Sequence, residues 1–272
     1  MSIRSRLALS AAFALSLAAA PAFAAQPNQA EFVLTVHLGG VTLGTIGFKT
    51  QFQNDTYSAI TKLKTGGVLN SFYAAAIEAA STGFVKNGQV SPASYKSMYT
   101  GEKSTQRVQL AYANSGITLD AEPAYDVNRF PVPDDQKKNT LDPISGMVQA
   151  VSGVTISDAA PCGDTIRIFD GKRRFDIELN FVEETELTST SGGYSGKATL
   201  CDAVYKQVAG FKQELTRKEP PPVQIWLAKF PAAPGGTVKT LAVPVKIQSE
   251  TPYGMAVANA RNIVVEGKKV GG

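Results

Sequence analysis

The chain has 272 residues, 43% of them hydrophobic and 18% charged, with 27 Lys and Arg against 23 Asp and Glu. That balance excludes a disordered chain and fits one large or two modest globular domains. A formal charge of +4 is too small to supply the clustered basic face of a nucleic-acid binder.

Taken in chain order, the first element is an export signal. Arg4 and Arg6 precede the apolar run LALSAAFALSLAAA, and AFA at Ala22–Ala24 has the small-x-small spacing of a signal peptidase site. The run is too short and too alanine-rich to span a bilayer. Residues 1–24 are therefore expected to be cleaved, with no transmembrane anchor left behind, and no cysteine stands at the junction to carry a lipid. Without the two arginines the surplus falls to +2, 25 basic against 23 acidic residues. The expected location is the periplasm of a Gram-negative cell, and residues 25–272 read as a single domain.

The sequence from Glu31 opens with alternation. Phe32, Leu34, Val36 and Leu38 share one face and Glu31, Thr35 and His37 the other, the period of a half-buried strand. Gly39-Gly40 supplies a turn into a second strand. Further strands are expected over Asp55–Thr65, Ser94–Glu102, Thr105–Asn114 and Gly116–Pro123. Later ones are expected over Lys197–Val208, Pro222–Phe230, Leu241–Thr251 and Tyr253–Gly267. About a dozen strands separated by Gly, Pro, Asn and Asp turns make a mainly antiparallel sheet.

Two segments carry helical spacing instead. Gly66–Gly83 puts Leu69, Phe72, Tyr73, Ala76, Ile77 and Ala80 on one side. In LDPISGMVQAVSG, Asp142 is placed to cap and Pro143 fits the first turn. Ile144, Met147, Val148 and Val151 then form the apolar stripe, and Gly153 closes it. Both helices need a surface to lie on, and the sheet is the available one. Phe72, Tyr73, Met147, Val148 and Val151 are the candidate lining of a ligand cleft between them. The competing assignment for these five, and for Trp226, is ordinary core.

Between the second helix and the later strands runs PCGDTIRIFDGKRRFDIELNF. Asp170-Gly171 favours a hairpin turn, which would set Ile166 opposite Phe175 and Ile168 opposite Arg173. Ile166, Ile168, Phe175, Ile177, Leu179 and Phe181 would make the apolar face. Lys172, Arg173 and Arg174 would sit at a solvated tip. Cys162 and Cys201 are the two cysteines of the chain. In an oxidising compartment an even pair reads as a disulfide.

LDPISGMVQAV, CGDTIRIFDGKRRFDIELNF and LAVPVKIQSETPYGMAVANAR, in that order and spacing, resemble the bacterial exported family known as domain of unknown function 3108. The resemblance runs from about Glu31 to Glu266 and is strongest in its second half. It implies a plan similar to periplasmic lipoprotein carriers and spiral-barrel envelope proteins: a strongly curved antiparallel sheet, half-open or a spiral barrel, with two short helices against its concave side. Such likeness concerns the fold and licenses no activity.

No catalytic constellation emerges. His37 is the only histidine, and no GxSxG elbow accompanies it. The acidic clusters PDDQKK and VEETE sit in a turn and late in a strand, without the contrasting environments that acid–base pairs need. TSTSGGYSGK joins two strands and does not open a helix, as a phosphate loop would. No CxxC or HxxxH spacing offers a metal site, and no cofactor is expected. Three function classes stay open: a non-catalytic envelope protein binding a hydrophobic ligand in a concave cleft, a scaffold holding an envelope protein, and an enzyme with an unfamiliar Ser/Lys/Asp site.

Overall fold

Strand after strand alternates buried and exposed positions, and that alternation builds one continuous sheet. The computed structural model describes residues 28–271 except 87, 155, 158–159, 190–192 and 213–219. The expected export signal lies outside the described residues.

The first half of the sheet comprises β1 (Asn28–Leu38), β2 (Val41–Gln53), β3 (Thr56–Thr65), β4 (Ala75–Lys86), β5 (Gln89–Gly101), β6 (Thr105–Ala113) and β7 (Gly116–Glu122). A crossover segment carries α1 (Asp134–Lys137), α2 (Pro143–Val151) and a small ladder of β8 (Ile156–Ser157) with β9 (Ala160–Pro161). The second half comprises β10 (Thr165–Phe169), β11 (Arg174–Leu187), β12 (Gly196–Ala209), β13 (Val223–Pro231), β14 (Thr240–Thr251), β15 (Gly254–Val265) and β16 (Lys268–Gly271). The order is β10-β11-β12-β13-β14-β15-β1-β2-β3-β4-β5-β6-β7, with β16 on β15. Every pairing in this sheet is antiparallel. The first strand in sequence thus sits mid-sheet, where it joins the two meanders.

The sheet does not close but curls. α2 touches β3, β4 and β5 on one limb and β10 and β14 on the other, so the sheet wraps around it. The two limbs also meet directly: a Cβ on Gly171, at φ +95°, would stand 3.1 Å from the side chains of Leu119 and Val108. The principal core is built from Phe32, Phe48, Phe52, Leu110, Val148 and Trp226 with their neighbours. A smaller cluster of Ile166, Ile168, Leu179, Ala203, Leu227 and Ala242 surrounds the disulfide between Cys162 and Cys201, whose Cα atoms are 5.8 Å apart.

Three expectations need correction. Gly66–Gly83 is not a helix: Gly67–Ser71 form a single 3₁₀ turn, and Ala75–Lys86 are strand. Ala79, Ser81, Gly83 and Val85 are its buried positions, at period two. Alanine gives no strand signal of its own, and pairing with β3 and β5 overrides the helical spacing. The second helix is instead α1, a single turn. The 165–178 hairpin has a four-residue loop, so Ile166 faces Ile177 and Ile168 faces Phe175. Asp170 Oδ1 accepts from the amides of Lys172 and Arg173 and widens the turn. Arg174 is not solvated: it is buried, donating to Asp176 at 2.6 Å and to the carbonyls of Gln136 and Phe175. It ties α1 to the hairpin.

Candidate functional site

The chemistry-bearing side chains converge where α2 meets β3 and β4. α2 forms because Asp142 caps it, its Oδ1 accepting from the amides of Ile144 and Ser145 at 2.9 Å each, with Pro143 in the first turn. The other carboxylate oxygen, Oδ2, accepts from the Ser145 hydroxyl in a short bond and from Ser81 at 3.0 Å. Tyr57 OH lies 2.6 Å from Ser145 Oγ and 3.3 Å from Ser81 Oγ. One turn on, Gln149 Oε1 accepts the Val90 amide at 3.1 Å. The helix is thus pinned to β3, β4 and β5 by polar bonds as well as by Ile144, Val148 and Val151.

Asp142, Ser145, Ser81 and Tyr57 are all buried. Burial pushes the Asp142 carboxyl above the usual aspartate range, against the downward pull of its Ser145, Ser81 and amide donors. Burial also raises the Tyr57 and Tyr95 phenols to about 12 each and holds Tyr112 well above its ordinary value. Tyr112 OH is buried and has no hydrogen-bond partner among the described residues. A serine beside a carboxylate resembles part of a hydrolytic site, but Ser145 has no solvent access, and its bonds run to a carboxylate, a phenol and the Ser81 hydroxyl instead of an imidazole. His37 is on β1, in register with Thr42 and Val257. The arrangement orients a helix.

The five candidate cleft residues do not line one surface. Val148 and Val151 are 0% and 1% exposed, inside the principal core, and Met147 packs against its margin. Phe72 and Tyr73 are 79% and 52% exposed, in the connection from β3 to β4. Ser81, where α2 meets β4, is about six residues along the strand from Ala75, on the order of 20 Å. Tyr73 OH bonds to Tyr99 OH at 2.8 Å, out on the hairpin ends. Trp226 is core, with Lys246 Nζ over its ring at 4.3 Å.

Two surface depressions stand out among those of the described residues. One, of about 310 Å³, lies beside the disulfide, and the other, of about 140 Å³, lies between Phe52–Asp55 and Gly235–Thr237. Both are open to solvent, and neither reaches α2. Sequence reasoning found Asp142 through its capping position, but missed Tyr57, Ser81, Ser145 and Gln149 as members of one cluster. The Asp-x-x-Ser spacing was the signal available for Ser145, whereas Ser81 was hidden by the helical reading of its segment.

No curated protein matches the chain. Among solved structures it is similar to the β-barrel-like protein of domain of unknown function DUF1849 from Brucella abortus, with a TM-score of 0.52 at 11% identity, covering 88% of this chain and 97% of that one. At that identity the likeness concerns the fold: a mainly β, barrel-like architecture, as the strand order displays directly. The pattern described as "Protein of unknown function (DUF3108)" matches residues 33–261, through both limbs of the sheet and the helix between them, and the chain belongs to that family.

Proposed function

We propose that this is a non-catalytic, exported protein of the cell envelope, periplasmic, which acts by holding another macromolecule at its surface. The observation that carries the reading is the state of the concave side. α2 occupies it, with Val148 and Val151 in the core and the Asp142–Ser145–Ser81–Tyr57 cluster hydrogen bonded beneath. A carrier needs a mostly apolar, concave space that encloses its ligand. An enzyme needs convergent polar groups that a substrate can reach. The disulfide agrees with an oxidising compartment.

The second reading, a carrier of an acyl chain, draws on Met147, the half-buried member of the helix stripe, and requires α2 to move off the sheet. Native mass spectrometry of the protein purified from its own periplasm, followed by solvent extraction, separates the two. The expected result is a clean polypeptide mass. A stoichiometric acyl-chain adduct, lost in a folded Met147→Glu variant, would replace the surface reading with the carrier one.

A further inference from the structure

The edge that the sheet leaves open says what kind of partner fits. β11 runs for 14 residues, from Arg174 to Leu187. On one flank β12 pairs with it to the end, Leu187 opposite Gly196. On the other, β10 covers only Arg174 to Glu178, and one more bond runs from the Leu179 amide to the Asp164 carbonyl. From Asn180 to Leu187 that flank has no backbone partner among the described residues. Where β10 gives out, the chain turns away at Cys162, held by its disulfide, and leaves the 310 Å³ depression lined by Asp164, Glu178, Asn180 and Phe181 among others.

Charge decides the occupant. Between Arg174 and Lys197 the sequence contains no Lys or Arg but five carboxylates: Asp176, Glu178, Glu183, Glu184 and Glu186. Asp176 is engaged by Arg174, and Glu184 by Thr199 and Lys229. Glu183 and Glu186 are exposed on the open stretch, with Phe181 and Val182 also exposed, 47% and 43%. Edge strands ordinarily carry charge to discourage further pairing. Here the charge of β11 itself has one sign, offset in part by Lys197 opposite Glu186 and by Lys229 beside Glu184, and the acidic surplus repels the same edge of a second copy and attracts a basic strand. The far edge of the sheet differs, since Arg107 already bridges Asp120 and Glu122 there.

We propose that the Asn180–Leu187 flank of β11 is a docking edge for an extended, basic segment of a partner protein, added as a strand in line with β10. This rests on the surface-binding reading above. Main-chain bonds to β11 would hold the guest. Glu183 and Glu186 stand across from Leu200 and Lys197, on opposite faces of the ladder, so lysines or arginines on both faces of the guest would meet them, and apolar residues towards Asn180 would cover Phe181 and Val182. A stretch of this length spans about 26 Å.

The probes are labelled ten-residue peptides titrated into the full exported chain by fluorescence anisotropy: a Lys-Val peptide of repeating Lys-Lys-Val-Val, which carries lysines on both faces, its Glu-Val counterpart, and the Lys-Val peptide with two valines replaced by proline. The Lys-Val peptide should bind, the other two at least roughly tenfold more weakly. Glu183→Lys with Glu186→Lys should cost a further tenfold or so with the thermal transition unchanged. Hydrogen exchange on the peptide complex should slow amides within 180–187. Equal binding of the proline peptide would overturn strand addition, and binding indifferent to the charge reversal would overturn the site. Self-association of the free protein that the charge reversal abolishes would make the occupant a second copy. An acyl-chain adduct in the native mass overturns the surface reading but not this edge, whereas failure of the Lys-Val peptide overturns this edge alone.

Discussion

Tyr57 and Tyr112 put the same phenol in two different situations inside one core. Tyr57 OH bridges Ser145 and Ser81, while Tyr112 OH is buried without a partner among the described residues. Removing a bonded hydroxyl strands its partners, at about 1–3 kcal/mol, whereas removing an unbonded one relieves a desolvation cost. Tyr57→Phe should therefore lower stability by roughly 1–2 kcal/mol, and Tyr112→Phe should leave it unchanged or raise it, both read from urea unfolding midpoints. Asp142 gives a pH signature. Its folded-state pKa is raised, so the folded chain holds that proton more tightly than the unfolded chain does. The resulting contribution is fully present below the ordinary aspartate value, near 4, and is lost as pH rises through the folded value. Asp142→Asn has no such proton. The stability of the wild type relative to this variant should be highest in acid and decline as pH rises from about 4, and a difference that grows instead would show the carboxylate to be favoured in the fold.

At the scale of elements, α2 is legible because its signals are local: a cap, a proline in the first turn, an apolar stripe and a closing glycine at φ +73°. Most strands are legible because alternation is local too. β4 is not, because Ala75, Ala76, Ala79 and Ala80 have little strand preference and become strand only when β3 and β5 flank them. Arg174 is obscured for the same kind of reason: three basic residues in a row look alike until α1 folds back to offer the Gln136 carbonyl to one of them. Nor can the sequence join Tyr57 and Ser81 to Ser145, since 88 and 64 positions separate them and the sheet register alone brings them together. Gly146 shows how close the helix comes: a Cβ there would lie 2.5 Å from Ile168 Cδ1 and 3.3 Å from Ile166 Cγ2. Gly146→Leu adds a branched side chain at a contact with no room for it, and should cost at least about 2–3 kcal/mol despite the better helix propensity. Chemical denaturation followed by circular dichroism measures this, and a neutral result would reveal slack between α2 and β10.

For the whole molecule, the link between chain segments matters more than any one strand. The Cys162–Cys201 bridge spans 39 positions and joins the entry to β10 with the middle of β12. Closing a loop of that size stabilises by about 4 kcal/mol in the chain-entropy model, so replacing both cysteines with alanine should lower stability by a large part of that amount. The loss should be seen alike in thermal and urea unfolding. The curved sheet, the enclosed helix and the covalent clamp together describe a body whose interior is occupied and whose open features are at its edges. In such a body α2 is a fixed part of the interior, with no role as a gate. Native-state hydrogen exchange on the α2 amides reports whether it is. Fixed packing requires the Val148 and Val151 amides to exchange only by global unfolding, with the same free energy and denaturant dependence as the β1 and β2 core. Exchange through a local opening several kcal/mol below the global value, insensitive to denaturant, would mean that the helix leaves the sheet in the native state and is no fixed part of the core.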